Sequence, residues 1–474
     1  MPDQNTMSED VRKAIGSLHK LATNREIQNL ESLRLYGSAP PFNTRHKLTV
    51  AAASAIGAFA LSVEDWWHQN TGRRQSVGLD WMQAACGLHP GHFQTQGGYL
   101  LPAMAMLTEL KSDFLKTKDD RWFFPVGATP KLRDGVMDFL GCPNNLPALA
   151  AAVSKWRADD LEEAFAEMKF PGAYARTSEE WRSHAQGAIL NQKPVIEIVK
   201  IGDSSPEATR PGARPLSATR VLDLGHIIAG PVVARSLAEH GADVLRLSPP
   251  MRQDPFRYTI DTNIGKRCAF LDFSSPSDLD KARRLAVSAD IVVQSWRPGS
   301  MQRAGLGPED LAKIRPGIVY VSVSAFGDEG PWSTRGGYEQ LGQVVSGIAH
   351  QEAREGKPAL VPTYLLNDYL TGYLGATGAL LALAQRAREG GSYHVKVSLA
   401  RTSMWVQSLG LEPSVDGRAA GKHFDAFLRP VLERRDSAYG VLEQLAPVAQ
   451  FSETRARWAL PPPPTGAHEA SWFF

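Results

Sequence analysis

Residues 220–248, RVLDLGHIIAGPVVARSLAEHGADVLRLS, decide the fold. Two short runs rich in Val and Leu, RVLDLG and ADVLRLS, flank a stretch whose apolar residues recur at helical spacing. Strand, helix and strand at this length form a parallel crossover unit. The pattern continues downstream through RCAFLDF, ADIVVQSW and GIVYVSVSAF, separated by helical stretches such as SDLDKARRLAVS. Continuous apolar strands, without polar alternation, imply burial on both faces. We therefore expect an α/β fold with a parallel, Rossmann-like sheet covered by helices on both faces. No GxGxxG follows the first strand.

Upstream of residue 202 the chain reads differently. TVAAASAIGAFALSVEDWWHQ places small and apolar residues at helical spacing, and DDRWFFPVGATPKLRDGVMDFLGC reads as a short strand, a loop and a helix. The expected organisation is a helical block with a smaller α+β domain over 1–201, a Pro/Gly/Ser-rich linker over 202–216, and the sheet-containing block over 217–474. A weak internal repeat crosses this division: 49–80 can be laid beside 370–400, matching Gly57 to Gly378, each copy being an Ala/Gly-rich helix, a basic Gly turn and a β-like run.

Bulk properties narrow the function. The chain has 474 residues, 52 Lys and Arg against 50 Asp and Glu, and a net charge of +2 with the charges interspersed, which argues against nucleic acid as a partner. Cys86, Cys142 and Cys268 lack the paired spacing of a disulfide framework or metal site, so neither metal nor resident cofactor is expected. The first twenty residues carry acidic side chains and no apolar core, and the Ala-rich stretch at 48–63 is followed by Glu64 and Asp65; we expect no secretory signal, no membrane partner and a cytoplasmic location.

Ligands of an open parallel sheet bind beyond the carboxyl ends of its strands. After the first strand stands His226-Ile227-Ile228-Ala229-Gly230-Pro231, where small residues precede a helix start able to hold an anion or a thioester oxygen. After the fourth comes Ser295-Trp296-Arg297-Pro298-Gly299 with Arg303 beyond it, an aromatic and two guanidinium groups suited to an adenine and phosphates. The loop after the fifth, GDEGPWSTRGGYEQLGQVVSGIA, places Glu339 in a glycine-rich setting, a candidate nucleophile that also fits a plain helix-start carboxylate.

Taken in order, RVLDLGHIIAGP, GADVLRLSPP, NIGKRCAFLDF, ADIVVQSWRPGSMQRAGLGPEDLAKIRPGIVYVSVSAFGDEGPW, GGYEQLGQVVSGI and NDYLTGYLGATGALLAL resemble the family III CoA-transferases, collinearly from about Arg220 to Gly410. The first block resembles the remaining part of the same family, as though its second half were placed first and partly repeated. The resemblance implies a CoA-transferase using acyl-CoA and a carboxylic acid as substrates, with coenzyme A carried as substrate. It also implies an interlocked homodimer, for which packing of the two blocks on each other within one chain is the alternative.

By that matching Glu339 stands where transferases carry a catalytic aspartate. Ile228 and Ala229 fall on the loop against the thioester, and Ile228 replaces a polar Gln, favouring an apolar acyl group. Trp296, Arg297 and Arg303 fall on the region lining the CoA adenine and phosphates, as do Lys266 and Arg267. Pro249 stands at a phosphate-binding Arg, for which Arg246 or Arg252 are substitutes. The same fold houses acyl-CoA racemases, a reading in which Glu339 and His226 act as opposed bases. A non-catalytic CoA-binding protein is the third reading.

Overall fold

The computed structural model describes residues 4–101, 110–208, 210–252, 254–412 and 428–473. Its centre is a seven-stranded sheet. In chain order the strands are β1 (Glu197–Gly202), β2 (Arg220–Asp223), β3 (Asp243–Ser248), β4 (Arg267–Phe270), β5 (Ile291–Gln294), β6 (Val319–Ser324) and β7 (Ser392–Ser398). Their spatial order is β4-β3-β2-β5-β6-β7-β1, parallel throughout except β1, which runs antiparallel to β7. The five strands expected from sequence form the parallel body of this sheet.

Adjacent residues along these strands enter opposite cores, as the continuous apolar runs require. Val221, Val244, Val293, Val321 and Val395 join one buried cluster, while Leu222, Leu245, Val292 and Tyr320 join another. Five helices position the site: α1 (Leu48–Thr71), α2 (Ala229–Glu239), α3 (Glu339–Ser346), α4 (Asn367–Glu389) and α5 (Leu399–Ser408). Helices α2 and α4 cover the first face, and Pro276–Val287 and Pro308–Ile314 cover the second.

The block before the linker does not fold apart from the block after it. β1 belongs to the central sheet, Val77–Asp80 pairs with Ala449–Phe451, and Thr95–Gln96 pairs with Gly440–Leu445. The expected division at 202–216 is thus corrected: apolar strand edges on each side find their partners on the other. Helix α1 is long and apolar enough to cross a membrane, but 89% of the relevant window is buried inside the protein, against α4 and the helix Gln4–Thr23.

The smaller α+β unit is a three-stranded antiparallel sheet of Leu115–Lys116, Trp122–Pro125 and Gly172–Tyr174. The helices Pro130–Leu140, Leu146–Val153 and Ala158–Glu167 pack against it. The first of these opens on Thr129, whose hydroxyl accepts from the Leu132 N–H, with Pro130 in the first turn, and closes on Gly141 at φ 63°. Its core is aromatic, with Phe123 and Phe165 edge to face at 5.0 Å.

Residues 48–86 run helix, turn, strand, helix, and so do residues 367–408. The matched glycines both sit where a helix is closely approached. A Cβ on Gly57 would meet Ile15 at 3.0 Å; one on Gly378 would meet Val395 at 2.5 Å and Ile196 at 2.7 Å. Because Val395 is fully buried on β7, it has little room to give way. Gly378→Ala is expected to destabilise the protein by about 1–3 kcal/mol through overpacking, seen as a lower urea midpoint at unchanged m-value.

Candidate active site

The strand order reverses between β2 and β5, so the crevice beyond their carboxyl ends is the expected ligand position. The loop leaving β2 is held by three side chains. Asp223 Oδ1 accepts from the Gly225 N–H at 2.8 Å, Ser295 Oγ from the His226 N–H at 2.9 Å, and Asp254 Oδ2 from the Ile227 N–H at 2.9 Å. Ile227 has φ 61°, a left-handed conformation costly for a β-branched residue and sustained here by those bonds. It turns the chain into α2, whose N-cap residue Ile228 supplies no capping side chain. The first N–H groups of a helix lack intrahelical partners, so this end can receive an oxyanion.

Glu339 is the first residue of α3 and is buried, with 2% of its surface exposed. Its carboxylate closes the N-terminus of a different helix, α4, which its own N-cap Leu366 leaves uncapped. Oε2 accepts from the Asp368 N–H at 2.7 Å; Oε1 accepts from Gln343 Nε2 at 2.8 Å and Asn367 Nδ2 at 3.1 Å. Asn367 Nδ2 also reaches the Glu339 carbonyl at 3.2 Å, and Asn367 Oδ1 accepts from Ser403 Oγ on α5 at 2.8 Å. Gly342 permits this approach, since a Cβ there would lie 2.8 Å from Asn367 Nδ2.

Asp368 is buried beside it with 8% exposed. Burial raises both carboxyl groups above their ordinary range, but the opposing forces differ. Glu339 is pulled back by Gln343 and by backbone N–H groups of α4, which favour the anion; Asp368 has burial and the Glu339 charge against it. The pair therefore carries its charge on Glu339 and its proton on Asp368.

The two carboxyls line a cavity of about 260 Å³ with Ile227, Ile228, Phe124, Val126 and Tyr258 among its walls. A second cleft, of about 600 Å³, is lined by Arg297, Arg303, Arg335, Lys169 and Trp332. Gly336 lines the cleft while Tyr338 and Glu339 line the cavity, so one glycine loop runs from the basic cleft to the carboxylate.

The sequence-predicted residues separate on this map. Glu339 and Ile228 share the cavity, Arg297 and Arg303 share the cleft, and Ala229 is buried in the first turn of α2 with its carbonyl against Gly372. Trp296 donates from Nε1 to the Leu224 carbonyl at 2.7 Å, and its ring is covered by His226 at 4.6 Å and Arg252 at 4.5 Å. His226 lines neither space, and burial together with Arg252 brings its pKa down to about 4. The structure does not pair it with Glu339; the titratable group beside Glu339 is Asp368.

Lys266 and Arg267 correct their expected place at the nucleotide. Lys266 is fully buried and donates to Asp223 Oδ2 and the Pro231 carbonyl, both at 2.7 Å, with burial pulling its pKa to about 8. It thereby ties the end of β2 to the first turn of α2. Arg267 pairs with Asp243 at 2.9 Å and donates to the Ser471 carbonyl at 2.6 Å. Arg246 is likewise taken, by Asp254 and Asn263, whereas Arg252 stays exposed. Sequence reasoning missed Asp368, Asn367 and Gln343. The signals were present: Gln343 stands four residues after Glu339 on one helix face, and Asn-Asp opens an otherwise apolar helix.

The structure thus sets a buried carboxyl pair and a basic cleft beside the topological switch point of a mostly parallel sheet. Residues 216–422 match the model of CoA-transferase family III. Acetyl-coenzyme A transferase nodX of Hypoxylon pulicicidum is 32% identical over 328 residues, 64% of this chain and 55% of that one. Succinyl-CoA–D-citramalate CoA-transferase of Chloroflexus aurantiacus is 33% identical over 201 residues, 39% of this chain and 49% of that one. Succinyl-CoA:glutarate CoA-transferase of Mus musculus is 31% identical over 207 residues, covering 41% and 47%. The chain spans about half the length of these curated relatives.

Asp368 supplies a test of the electrostatics. A carboxyl whose folded pKa is raised contributes stability below its unfolded pKa, near 3.8, and loses it as pH rises through the folded value. Asp368→Asn, neutral and nearly isosteric, is therefore expected to gain stability relative to wild type as pH rises from 5 to 8. Urea titrations at both ends check this, and a difference that does not grow with pH refutes the buried, protonated assignment.

Proposed function

We propose that the protein moves coenzyme A between an acyl-CoA and a carboxylic acid through a covalent intermediate on Glu339. The observation that carries this reading is the buried Glu339 carboxyl, hydrogen-bonded by Gln343, Asn367 and the Asp368 N–H on the wall of a cavity with apolar side chains. Its oxygen attacks the donor thioester carbonyl, the C–S bond breaks, and a mixed anhydride forms with release of CoA thiolate. The thiolate attacks the glutamyl carbonyl, releasing the donor acid and leaving a glutamyl-CoA thioester. The acceptor carboxylate attacks that thioester, and the thiolate then attacks the acceptor's carbonyl, restoring Glu339. The uncapped start of α2 is placed to receive the tetrahedral oxyanions.

In this reading the nucleotide of CoA lies in the basic cleft, with Arg297 and Arg303 toward its phosphates, and the acyl group enters the cavity beside Ile227 and Ile228. The apolar walls favour an aliphatic acyl group. We read the sheet as Rossmann-like, residues 48–86 as a degenerate copy of 367–408, and the location as cytoplasmic. The α1–α4 packing supports a second half carried within the chain, in place of a homodimer partner. Sedimentation giving a dimer at every concentration would count against that assignment.

A second reading, exchange of the α-proton of an acyl-CoA, finds its pair of groups in Glu339 and Asp368. The two readings separate experimentally. Incubation with acyl-CoAs followed by hydroxylamine or borohydride should leave a hydroxamate or reduced residue at Glu339, read by peptide mass spectrometry. Deuterium entering the α-carbon without acceptor acid, with Glu339 unmodified, favours proton exchange instead. Glu339→Gln should lower turnover on the order of 10,000-fold while retaining CoA binding. Arg303→Ala should raise the KM for acyl-CoA about tenfold with little change in kcat, from loss of one charge-assisted bond.

A further inference from the structure

We propose that a third cavity, on the far side of the Trp296–Pro298 loop from the basic cleft, binds the carboxylate of a short aliphatic acid through Arg401. The cavity is about 60 Å³, against the roughly 10–15 Å³ that one water needs. It lies over the carboxyl-terminal halves of β5, β6 and β7, where the second apolar layer gives way to polar side chains. Below it, Val292 and Tyr320 are core; in it stand Gln294, Ser322, Ser324, His394 and Lys396. Gln294 Nε2 donates to Ser322 Oγ at 2.9 Å, and His394 Nε2 lies 2.8 Å from the same oxygen. Burial, aided by Lys396, lowers the His394 pKa to about 4, so His394 adds no charge to this floor.

Arg401, near the start of α5, stands apart from the other charges of the lining. Lys193 pairs with Glu197 at 3.1 Å and Glu329 at 2.8 Å, and Lys396 pairs with Asp328 at 2.8 Å. Among the described residues Arg401 has no ion pair; Nε donates to the Lys193 carbonyl at 2.8 Å, and the two terminal nitrogens of the fork have no acceptor among those residues. Burial pulls its pKa down to about 10, the mark of a cation short of compensation. A guanidinium edge offers two parallel donors, the complement of a carboxylate. Ile189, Leu190, Val195 and Val397 supply apolar walls for a short alkyl chain, and the carboxylates in the lining are already engaged by lysines.

This site is separate from the Glu339 cavity, with no lining residue in common. It shares its rim with the basic cleft: Trp296 and Gly327 face the small cavity, Arg297 and Phe326 face the cleft, and Pro298 faces both. An acid held by Arg401 thus braces the loop that carries Arg297.

Isothermal titration and thermal melting with propionate and with inorganic phosphate test the proposal on the whole chain, comparing wild type, Arg401→Gln, Arg401→Lys and Glu339→Gln. Propionate should bind wild type and Glu339→Gln with equal affinity and raise their melting temperatures equally. Arg401→Gln should weaken binding about tenfold or more, with Arg401→Lys between. Without ligand, Arg401→Gln should melt no lower than wild type, because it removes a half-buried cation that has no ion pair among the described residues. If it does not fold, Arg401→Lys decides, and unchanged propionate affinity there overturns the proposal. So does absence of propionate binding to wild type, equal binding to Arg401→Gln, loss of binding in Glu339→Gln, or tighter binding of phosphate than of propionate.

Discussion

The structure turns on a carboxylate from one helix closing the N-terminus of another. Glu339 begins α3, yet its oxygens serve the free donors of α4. A helix end without a cap is destabilised by unsatisfied N–H groups, and a buried carboxylate without donors is destabilised by lost hydration. Each removes the other's deficit. The same contact locks α3, α4 and α5 together through Asn367 and Ser403, and ties in the loop before α4, because Gln343 accepts from the Val361 N–H at 3.0 Å. A group so placed is fixed by the packing of the whole face of the sheet, the preset position that the nucleophilic role proposed for Glu339 requires.

That packing is possible only because distant parts of the chain complete one another. Helix α4 is covered by α1, over 300 residues earlier, and the edge of the central sheet beside β7 is covered by β1 from the first block. Without β1, the seven-residue β7 would be an exposed edge. The last strands of the chain return to pair with residues 77–80 and 95–96, so neither block can present a closed surface alone.

The fold was legible where the signal is local. Apolar runs of four to six residues with helical intervals gave the parallel strands in order, and the strand, loop and helix read in DDRWFFPVGATPKLRDGVMDFLGC stand at Trp122–Pro125 and Pro130–Leu140. Glu339 stood out as a candidate from its glycine setting and its place in a sequence of family-like motifs, and the structure buries it at the start of α3. What sequence could not supply was direction. Lys266 and Arg267 are as basic on paper as Arg297 and Arg303, but the first two point into the protein toward Asp223 and Asp243. His226 stands in the right loop and turns toward Trp296, because the strained Ile227 after it reverses the chain. Asp368 was hidden for a different reason: its significance is a contact with a residue 29 positions away, made by backbone as well as side chain.

The length of the side chain at 339 follows from the same geometry. The backbone of Glu339 is pinned, since Asn367 Nδ2 holds its carbonyl oxygen, so the carboxyl must cross the remaining gap to α4 on its own methylenes. Aspartate at this position would withdraw the oxygens by about 1 Å, away from the Asp368 N–H, and a shift of that size is enough to change a rate about 100-fold. A family in which aspartate does this work must bring the two helices closer or seat the carboxyl on different donors. Here Gly342 permits the approach of α3, since a Cβ there would meet Asn367 Nδ2 at 2.8 Å and Ser403 Oγ at 3.2 Å. Glutamate is thus the residue that fits the spacing these helices have, and the extra methylene is part of the site's construction.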